Sequence, residues 1–289
     1  MLKFVLASRS KPEHTKERYF FEWGIIHVSL MLQTPTVMST FRRYAQHYVP
    51  DGLDGGRLLF PFSPNDWENM ADHWLETWED LVLPFKATDY PNRMQPHNFG
   101  DFNFDIQLMT GEELYAEDGY YGGGVKLVHF LHRRDDVSLD AFKADYRVHG
   151  DLLVEQGSGL LRKYVQNTET QGDPKYFTGT LFELGGVNTY SGHEELWFDD
   201  VASVYAFCEE AGRREALLAS YAGFADERSY SMVTTERVVF DFVTPGHVSP
   251  QPAVLQAGTL EALVDAQGYT GWWVPGWEKA ARGEGPGAG

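Results

Sequence analysis

Cysteine is nearly absent from this sequence, since Cys208 is the only one among its 289 residues. One cysteine cannot form an internal disulfide bond. Its surroundings, VYAFCEEAG, have the pattern of a helix, where a buried and inert thiol is far commoner than a nucleophilic one. The sequence therefore predicts no thiol chemistry.

Long apolar runs and positive charge are also scarce. No apolar run approaches the ~20 residues that span a bilayer, and the apolar part of the N-terminal segment is too short for a signal peptide. Lys and Arg number 24 against 42 Asp and Glu, so the formal net charge is −18. This charge repels phosphate backbones and anionic lipid surfaces. We therefore expect a cytoplasmic protein with no nucleic-acid partner and no membrane partner.

The common cofactor and metal motifs are missing as well. The glycines of YGGGVK precede a strand pattern instead of opening a helix, so they do not form a phosphate-binding loop. His129 and His132 lie three apart on a strand and therefore on opposite faces, which does not suit two ligands of one metal ion. No serine lies in a G-x-S-x-G motif. We predict no cofactor and no metal site.

The most informative feature that is present is a repeat. FRRYAQHYV begins at Phe41, and the similar LRKYVQNTE begins at Leu161. Before them, LKFVLASR from Leu2 resembles VKLVHFLHRR from Val125, and both are apolar strand patterns with Lys at the second position. After them, ADHWLETWEDL from Ala71 matches EELWFDDVASV from Glu194 as a strand that runs into a helix. The chain thus repeats one series of elements.

A helix pattern follows the first strand of each half. Its apolar face consists of Phe20, Trp23, His27, Leu30 and Met31 in the first half and of Phe142, Tyr146, His149, Leu152 and Leu153 in the second. FNFDIQLMT and TTERVVFDF are the closing strands. The order strand, helix, strand, strand, helix, strand predicts a ferredoxin-like βαββαβ unit in each half.

One such unit would leave one face of its sheet bare, so we expect the two bare faces to pack together. The sequence predicts an α+β fold in which two ferredoxin-like repeats form an intrachain dimeric α/β barrel. The first repeat spans 1–118, a Gly-rich hinge 119–124 and the second repeat 125–245. The C-terminal arm, 246–289, is rich in Pro, Gly and Trp, and its rings need a groove on this chain or on a second subunit. A homodimer is therefore possible.

These motifs resemble the EthD-domain family of dimeric α/β-barrel proteins. The resemblance rests on the W-x-x-x-H of Trp23 and His27, on FRRYAQHY and LRKYVQN, and on Glu195, Trp197, Phe198 and Asp199. It covers roughly residues 1–115 and 125–243. The chain departs from the family at Asp145, where Trp is preferred, and around His73, where the acidic pair is replaced by Asp72 and Trp74. The resemblance implies a cofactor-free pocket for dehydration, cyclisation, isomerisation or bond cleavage on small hydrophobic compounds.

The candidate catalytic residues are His27, His149, Tyr44 and His47. An imidazole within an apolar helix face suits proton transfer at neutral pH, although a structural histidine bonded to a strand carbonyl fits the same pattern. Tyr44 and Tyr164 occupy matched strand positions, with His47 and Asn167 on the opposite face. These tyrosines either orient a substrate oxygen or simply pack.

The candidate substrate-binding residues are Trp23, Trp74, His97, Asp101, Tyr146, Tyr164 and Trp197. Long aromatic and Pro/Gly-rich insertions follow the second strand and precede the closing strand of the first half, and they have the composition of a pocket roof or of a self-packed loop. The first half combines Trp23 and His27 with His47 and the loop of His97. We therefore expect the chemistry in the first half.

The leading hypothesis is a cofactor-independent lyase or isomerase of aromatic metabolism, which acts on a small hydrophobic or aromatic substrate by histidine acid/base chemistry. One alternative is a haem-dependent or oxidative enzyme on the same barrel, because a fold does not determine a reaction. Another is a non-catalytic small-molecule-binding protein in which both helical histidines are core residues.

Overall fold

The computed structural model describes residues 1–90, 100, 105–120, 122–170, 177–178, 183 and 186–244. His97, Asp101 and the arm at 246–289 lie outside this part of the chain. The strands are β1 (Leu2–Ser8), β2 (Arg43–Tyr48), β3 (Asn69–Leu75), β4 (Asp105–Ala116), β5 (Val125–Leu131), β6 (Lys163–Glu169), β7 (Gly186–Val187), β8 (Gly192–Phe198) and β9 (Tyr230–Asp241). The helices are α1 (Lys16–Phe21), a π-helical segment (Glu22–His27), α2 (Val28–Leu32), α3 (Pro35–Thr40), α4 (Trp78–Lys86), α5 (Leu139–Gln156), α6 (Val201–Glu209) and α7 (Ala211–Tyr221), with a 3₁₀ turn at Gly55–Arg57.

Eight strands form a closed antiparallel barrel. Their order is β1-β3-β2-β9-β5-β8-β6-β4, and β4 returns to pair with β1. The short β7 pairs with β4 in parallel. Since closure pairs both long sides of each of these eight strands, the barrel has no free sheet edge of the kind that promotes aggregation. The predicted α+β barrel within one chain is confirmed.

The two halves contribute the same strand order to the barrel. The first half supplies β4-β1-β3-β2 and the second supplies β6-β8-β5-β9. They join at two seams, where β2 pairs with β9 and β4 pairs with β6. Each seam thus joins the second strand of one half to the last strand of the other.

Strand alternation sends side chains either into the barrel or towards the helices. Two large apolar cores lie between the barrel wall and the helices, one for each half, and a smaller apolar cluster lies inside the barrel. Tyr44 packs in the first outer core, whereas His47 is buried on the inner face, where it meets Glu236. The prediction that these two residues occupy opposite faces is confirmed.

The helix predicted over Phe20 to Met31 is not one regular α-helix. It is interrupted by the π-helical segment Glu22–His27. The strands beneath donate to two of its carbonyls, Gln46 Nε2 to that of Trp23 at 3.0 Å and Arg237 to that of Gly24 at 2.8 Å. Gln166 Nε2 likewise donates to the Tyr146 carbonyl of the continuous helix that follows β5, at 2.6 Å, so the Arg237 contact is the one that distinguishes the first half. Side-chain donors that bond main-chain carbonyls disturb the regular α-helical ladder. In the second half α5 is continuous, and Ser138 caps its N-terminus by accepting from the Ala141 amide.

The insertion after β2 packs on the other half of the molecule. Leu58 and Leu59 belong to the second outer core, and Phe60 and Phe62 pack against it. Part of the first half thus covers the second. Among the helices that the structure describes, none is long and apolar enough to cross a membrane.

Candidate active site

Glu194 is the centre of a buried polar cluster between the barrel wall and the helices of the second half. The hydroxyl of Tyr164 donates to Oε1 of Glu194 at 2.8 Å, and the hydroxyl of Tyr221 donates to Oε2 at 2.5 Å. His129 Nδ1 lies 3.0 Å from the same Oε2. Glu194, Tyr164 and His129 are fully buried. The carboxylate is therefore held by hydrogen bonds in an apolar environment, where such bonds are strong.

Helix α5 brings the predicted His149 to this carboxylate. Its Nε2 lies 3.6 Å from Oε1 of Glu194, and its Nδ1 lies 2.9 Å from the hydroxyl of Ser220. Its ring is 4.0 Å from the ring of Tyr221. Tyr146 is three residues earlier on α5 and therefore on the same helix face. The carboxylate, the imidazole and this phenol thus lie in one core.

Four polar atoms of this core lack a hydrogen-bond partner among the described residues. They are His129 Nε2, His149 Nε2, the hydroxyl of Tyr146 and the hydroxyl of Ser231. Ser231 pairs directly with His129 across β9 and β5, so it lies on the same face. Buried polar atoms almost always find a partner, and exceptions are typical of sites that bind or react. The arrangement leaves donors and acceptors for a ligand.

Burial and neighbouring charge set the protonation states. Burial raises the pKa of Glu194, but the hydrogen bond from His129 and the nearby His149 outweigh it and hold the pKa below its usual value. Burial lowers the pKa of His149 despite the opposing effect of Glu194. Burial raises the pKa of Tyr146 well above its usual value. At neutral pH the site therefore combines an ionised carboxylate, a neutral imidazole and a neutral phenol.

A surface groove leads towards this site. It has a volume of about 600 Å³, and both Phe60 and Tyr221 line it. The ring of Phe60 packs edge-on against Tyr221 at 4.8 Å and against His129 at 5.2 Å. Phe60 thus lies between the groove and the polar cluster, and a ligand that enters from the groove must displace it.

The first half lacks the corresponding carboxylate. Ala71 occupies the position that matches Glu194 in the repeat. Trp23 and Tyr44 lie in the first outer core, and His27 is half-buried at the end of the π-helical segment. The buried carboxylate beside a helical histidine that the structure describes therefore lies in the second half. The expectation of chemistry in the first half also rested on the loop of His97, which lies outside the described residues, and it stays a prediction. Part of the insertion after β2 covers the second half.

His47 lies in a different cluster, inside the barrel. His27 belongs to the helical layer outside the sheet, so the predicted combination of these two histidines in one site is wrong, since strand alternation puts the barrel wall between them. His47 Nε2 lies 3.1 Å from Glu236 and 2.7 Å from Lys126 Nζ. Lys126 also bonds Glu195 at 2.7 Å and Glu236 at 2.6 Å.

The rest of this inner cluster is equally buried. Lys3 bonds Glu195 and lies 3.0 Å from Asp72. Burial raises the pKa of Glu195, but Lys126 and Lys3 outweigh it and hold the pKa well below its usual value. Burial lowers the pKa of Lys126, yet Glu195 and Glu236 raise it above its usual value. Glu195 and Lys126 are therefore ionised, and they form the centre of a buried network of lysines and carboxylates.

Trp74 and Trp197, both predicted to bind substrate, lie at the mouth of the barrel. Lys3 Nζ is 4.8 Å from the centre of the Trp74 ring, and Lys126 Nζ is 4.2 Å from that of Trp197. They are thus remote from the Glu194 face of the wall. No group of three or more His, Cys, Asp or Glu side chains that could hold a metal ion exists within the described ranges.

Comparisons with known proteins support the fold. An anthrone oxidase-like protein of known structure superposes with a TM-score of 0.52 at 12% identity, over 85% of this chain and 96% of its own. The chain shares the barrel fold of this protein. A second solved structure, a Fusobacterium nucleatum protein described as a monooxygenase, is 6% identical and has a TM-score of 0.47. The match covers 87% of the present chain and 97% of the Fusobacterium chain.

Sequence comparison adds one curated relative of this barrel protein. Chalcone isomerase cfoK of Aspergillus candidus is 22% identical over 227 residues, which cover 75% of this chain and 88% of the relative. No known family model matches the chain. The sequence relative and the structural neighbour of higher TM-score are both named after enzymes.

Residue-level prediction missed the centre of the site. Glu194 and Glu195 form the acidic pair of HEELWF, but strand alternation separates them, with Glu194 facing the helices and Glu195 facing the barrel interior. The available signal was the alignment of Glu194 with Ala71, which marks a carboxylate in one repeat only. Lys3 and Lys126 are the second residues of their strands. The sequence indicates a repeated lysine there but does not predict its role.

Proposed function

We propose that this chain is a cofactor-independent isomerase or lyase that acts on a small aromatic compound by proton transfer at His149, supported by Glu194. The observation that carries the proposal is the buried Glu194 carboxylate beside the neutral His149 imidazole, whose Nε2 lacks a hydrogen-bond partner among the described residues. We also interpret the halves as tandem EthD-like, ferredoxin-like repeats, of which the second is the reactive one.

His149 is the proton acceptor in this proposal. Its lowered pKa keeps it neutral at cellular pH, so Nε2 can accept a proton from a substrate carbon or hydroxyl. The imidazolium that forms lies 3.6 Å from the Glu194 carboxylate, which stabilises the positive charge. Returning the same proton to another substrate atom completes an isomerisation. Protons and electrons balance without an added oxidant or reductant.

Tyr146 orients the substrate. Its hydroxyl is buried and neutral and has no side-chain hydrogen-bond partner among the described residues, and it shares a helix face with His149. A neutral phenol can donate a hydrogen bond to a carbonyl oxygen on which negative charge develops when a proton is removed nearby. We therefore expect the substrate to bind with its oxygen at the Tyr146 hydroxyl and with the proton that is removed at His149 Nε2.

The surrounding rings indicate the substrate class. Tyr221, Phe224 and Tyr146 enclose the imidazole, with the rings of Tyr221 and Phe224 at 4.0 and 5.5 Å from that of His149. Flat apolar ligands pack well against such walls. The relative named chalcone isomerase supports an aromatic enone as the compound class. Entry from the groove requires Phe60 to swing away from Tyr221.

The test is an isomerisation assay on the full chain. Purified protein is incubated with hydroxylated chalcones and related aromatic enones, and loss of the enone absorbance and formation of an isomer of unchanged mass are followed. His149→Gln should lower kcat by roughly 10²–10⁴-fold with little change in KM, the usual effect of losing a general base.

His27→Gln is the matched control, because His27 holds the corresponding position of the first half. It should retain most activity. Loss of activity in His27→Gln with full activity in His149→Gln would place the reaction in the first half and contradict the proposal. A product of changed mass, such as an oxygenated compound, would contradict isomerisation.

A further inference from the structure

The two seams of the barrel are related by the internal repeat but differ in one pair of residues. Where β2 meets β9, His47 is directly opposite Glu236. Where β6 meets β4, Asn167 is directly opposite Gly111. Gly111 is the counterpart of Glu236 in the repeat. Gly111 follows Thr110, which pairs with the first residue of β1, and Glu236 follows Thr235, which pairs with the first residue of β5.

At the first seam, the Glu236 carboxylate lies beside two cations, Lys126 and Arg43, and beside the imidazole of His47. It lies 2.6 Å from Lys126 Nζ, 3.1 Å from His47 Nε2 and 3.5 Å from the Arg43 guanidinium. Lys126 thereby has three acceptors, namely Glu195, His47 and Glu236. All three of its N–H groups are therefore used.

At the second seam, the corresponding positive groups remain but the carboxylate is missing. Lys3 corresponds to Lys126, and Lys163 corresponds to Arg43, since each is paired with the tryptophan of its neighbouring strand. Lys3 hydrogen-bonds Glu195 and forms an ion pair with Asp72 at 3.0 Å, so at least one of its three N–H groups is left among the described contacts. A cavity of about 260 Å³ lies here, lined by Gly111, Lys3 and Lys163 among others.

Two buried polar groups that line this cavity have no hydrogen-bond partner in the described structure. Asn167 donates from Nδ2 to the His193 carbonyl at 2.9 Å and to Glu195 at 2.8 Å, which fixes its orientation, and its Oδ1 is left unpaired. That Oδ1 lies 2.5 Å from the position of a Cβ built on Gly111. The indole Nε1 of Trp197 is also unpaired. The cavity thus offers an acceptor at Asn167 and donors at Lys3, Lys163 and Trp197. The carboxylates in its lining, Glu113, Glu195 and Glu236, are each paired with a lysine.

We propose that this barrel-mouth cavity binds a small hydroxycarboxylate. The ligand carboxylate takes the place that Glu236 fills at the other seam and binds Lys3 and Lys163. The adjacent hydroxyl donates to Asn167 Oδ1, which an ionised carboxylate cannot do. A cavity of about 260 Å³ accommodates one substituted six-membered ring, so an aromatic hydroxy acid such as salicylate fits the size and the chemistry. This site is separated by the barrel wall from Glu194.

The experiment is calorimetric titration of the full chain with three matched probes. Salicylate carries both groups, benzoate lacks the hydroxyl, and salicylamide lacks the negative charge. We expect salicylate to bind more tightly than either of the others, by about tenfold or more for each lost charge-assisted or buried hydrogen bond. Equal affinity for all three probes, or no binding of salicylate, would overturn the proposal.

Variants locate the binding. Gly111→Ala puts a methyl group against Asn167 Oδ1 and should abolish salicylate binding. Lys163→Met is a second test that does not depend on the packing at Gly111, because the Lys163 side chain lies at the rim and pairs with the exposed Glu113 at 2.5 Å. It should weaken binding about ten- to a hundredfold at an unchanged melting temperature.

His149→Gln is the control for the other site and should leave salicylate affinity unchanged. Binding that is lost in His149→Gln but kept in Gly111→Ala and Lys163→Met would show that salicylate occupies the Glu194 site, and the inference would fail. This outcome would not count against the proposed isomerase, whose test is turnover.

Discussion

Glu194 and Glu195 are consecutive residues of β8, yet their carboxylates lie in two separate clusters on opposite faces of the barrel wall. Glu194 accepts hydrogen bonds from the neutral hydroxyls of Tyr164 and Tyr221. Glu195 instead bonds the ammonium groups of Lys3 and Lys126. One dipeptide therefore contributes to a site of neutral donors and to a buried ionic network, and the two carboxylates should respond differently to the same substitution.

Glu195→Gln should be much more destabilising than Glu194→Gln. Removing the Glu195 charge leaves Lys3 and Lys126 with too few anions, and an uncompensated buried charge costs about 3–5 kcal/mol. A glutamine at 194 keeps one oxygen that accepts from one tyrosine, and its amide N–H can donate to the hydroxyl of the other, so we expect a loss below about 2 kcal/mol there. Urea unfolding of the two variants and the wild type measures the difference. Equal losses would mean that the inner cluster is not ionised.

Tyr146→Phe and Tyr164→Phe should separate function from stability. The hydroxyl of Tyr146 has no partner among the described residues, so its removal should leave the melting temperature unchanged or slightly higher. Its loss should lower kcat about 10- to 100-fold if it binds the substrate oxygen. Tyr164→Phe removes the 2.8 Å hydrogen bond that the hydroxyl donates to buried Glu194, and it should lower the free energy of unfolding by about 1–3 kcal/mol.

Thermal unfolding and turnover of the same two preparations provide the measurement. A Tyr146→Phe variant with full activity would remove Tyr146 from the proposed mechanism. A drop in its melting temperature as large as that of Tyr164→Phe would indicate that the hydroxyl has a structural partner.

The barrel could be predicted because the sequence patterns that specify it are local and occur twice in the chain. Lys3 and Lys126 mark the same position of two apolar strands, and Tyr44 and Tyr164 mark the same position of two others. Alternation along β2 then placed His47 on the face opposite Tyr44. These inferences need only the period of a strand and the recurrence of a pattern.

The site could not be predicted in the same way, because its contacts join segments far apart in the chain. Tyr221 reaches Glu194 from the end of α7, and Arg237 in the last strand donates to the Gly24 carbonyl of the π-helical segment. Phe60 follows β2 in sequence but packs on the second half. Neither repeat spacing nor composition encodes such pairings, so the prediction of chemistry in the first half, which rested on its helical motif, His47 and its loops, could not take them into account.

The connection between the halves should be sensitive to substitution at Gly124 and tolerant at Gly119. Both glycines have positive φ, +67° at Gly124 and +77° at Gly119. Alanine at either position should therefore lower the free energy of unfolding by about 1–2 kcal/mol through backbone strain. At Gly124, however, the new Cβ would lie 2.2 Å from the Phe198 carbonyl oxygen, whereas nothing lies within 4 Å at Gly119.

Gly124→Ala should consequently be the more destabilising substitution by at least about 2 kcal/mol, since the wall of the barrel must shift. Chemical denaturation of both variants tests this. Equal stability of the two would contradict the tight join between the connection and the end of β8.

His73 should make the protein less stable as the pH falls from 7 towards 4. Burial lowers the pKa of His73 to about 4 from its usual 6.5, although a hydrogen bond to the Phe4 carbonyl opposes the effect. Its ring stacks on Tyr44 at 4.7 Å. Between these two pKa values the unfolded chain binds a proton on this histidine and the folded chain does not, so protonation favours unfolding. The contribution of His73 to stability is thus complete above pH 6.5, declines by up to about 3 kcal/mol as the pH approaches 4, and levels off below it.

His73→Leu isolates this contribution, because leucine is the residue at the matching position of the second half, Leu196. Other buried groups such as His193, whose pKa burial lowers to about 3, act in the same direction and remain in the variant. The unfolding free energy of wild type and variant is measured at pH 7.5, 6, 5 and 4.5. We expect the wild type to lose more stability than His73→Leu on acidification, with the gap opening below pH 6.5. Parallel curves would show that the imidazole is protonated in the fold, and hence that the stack of His73 on Tyr44 admits a charge.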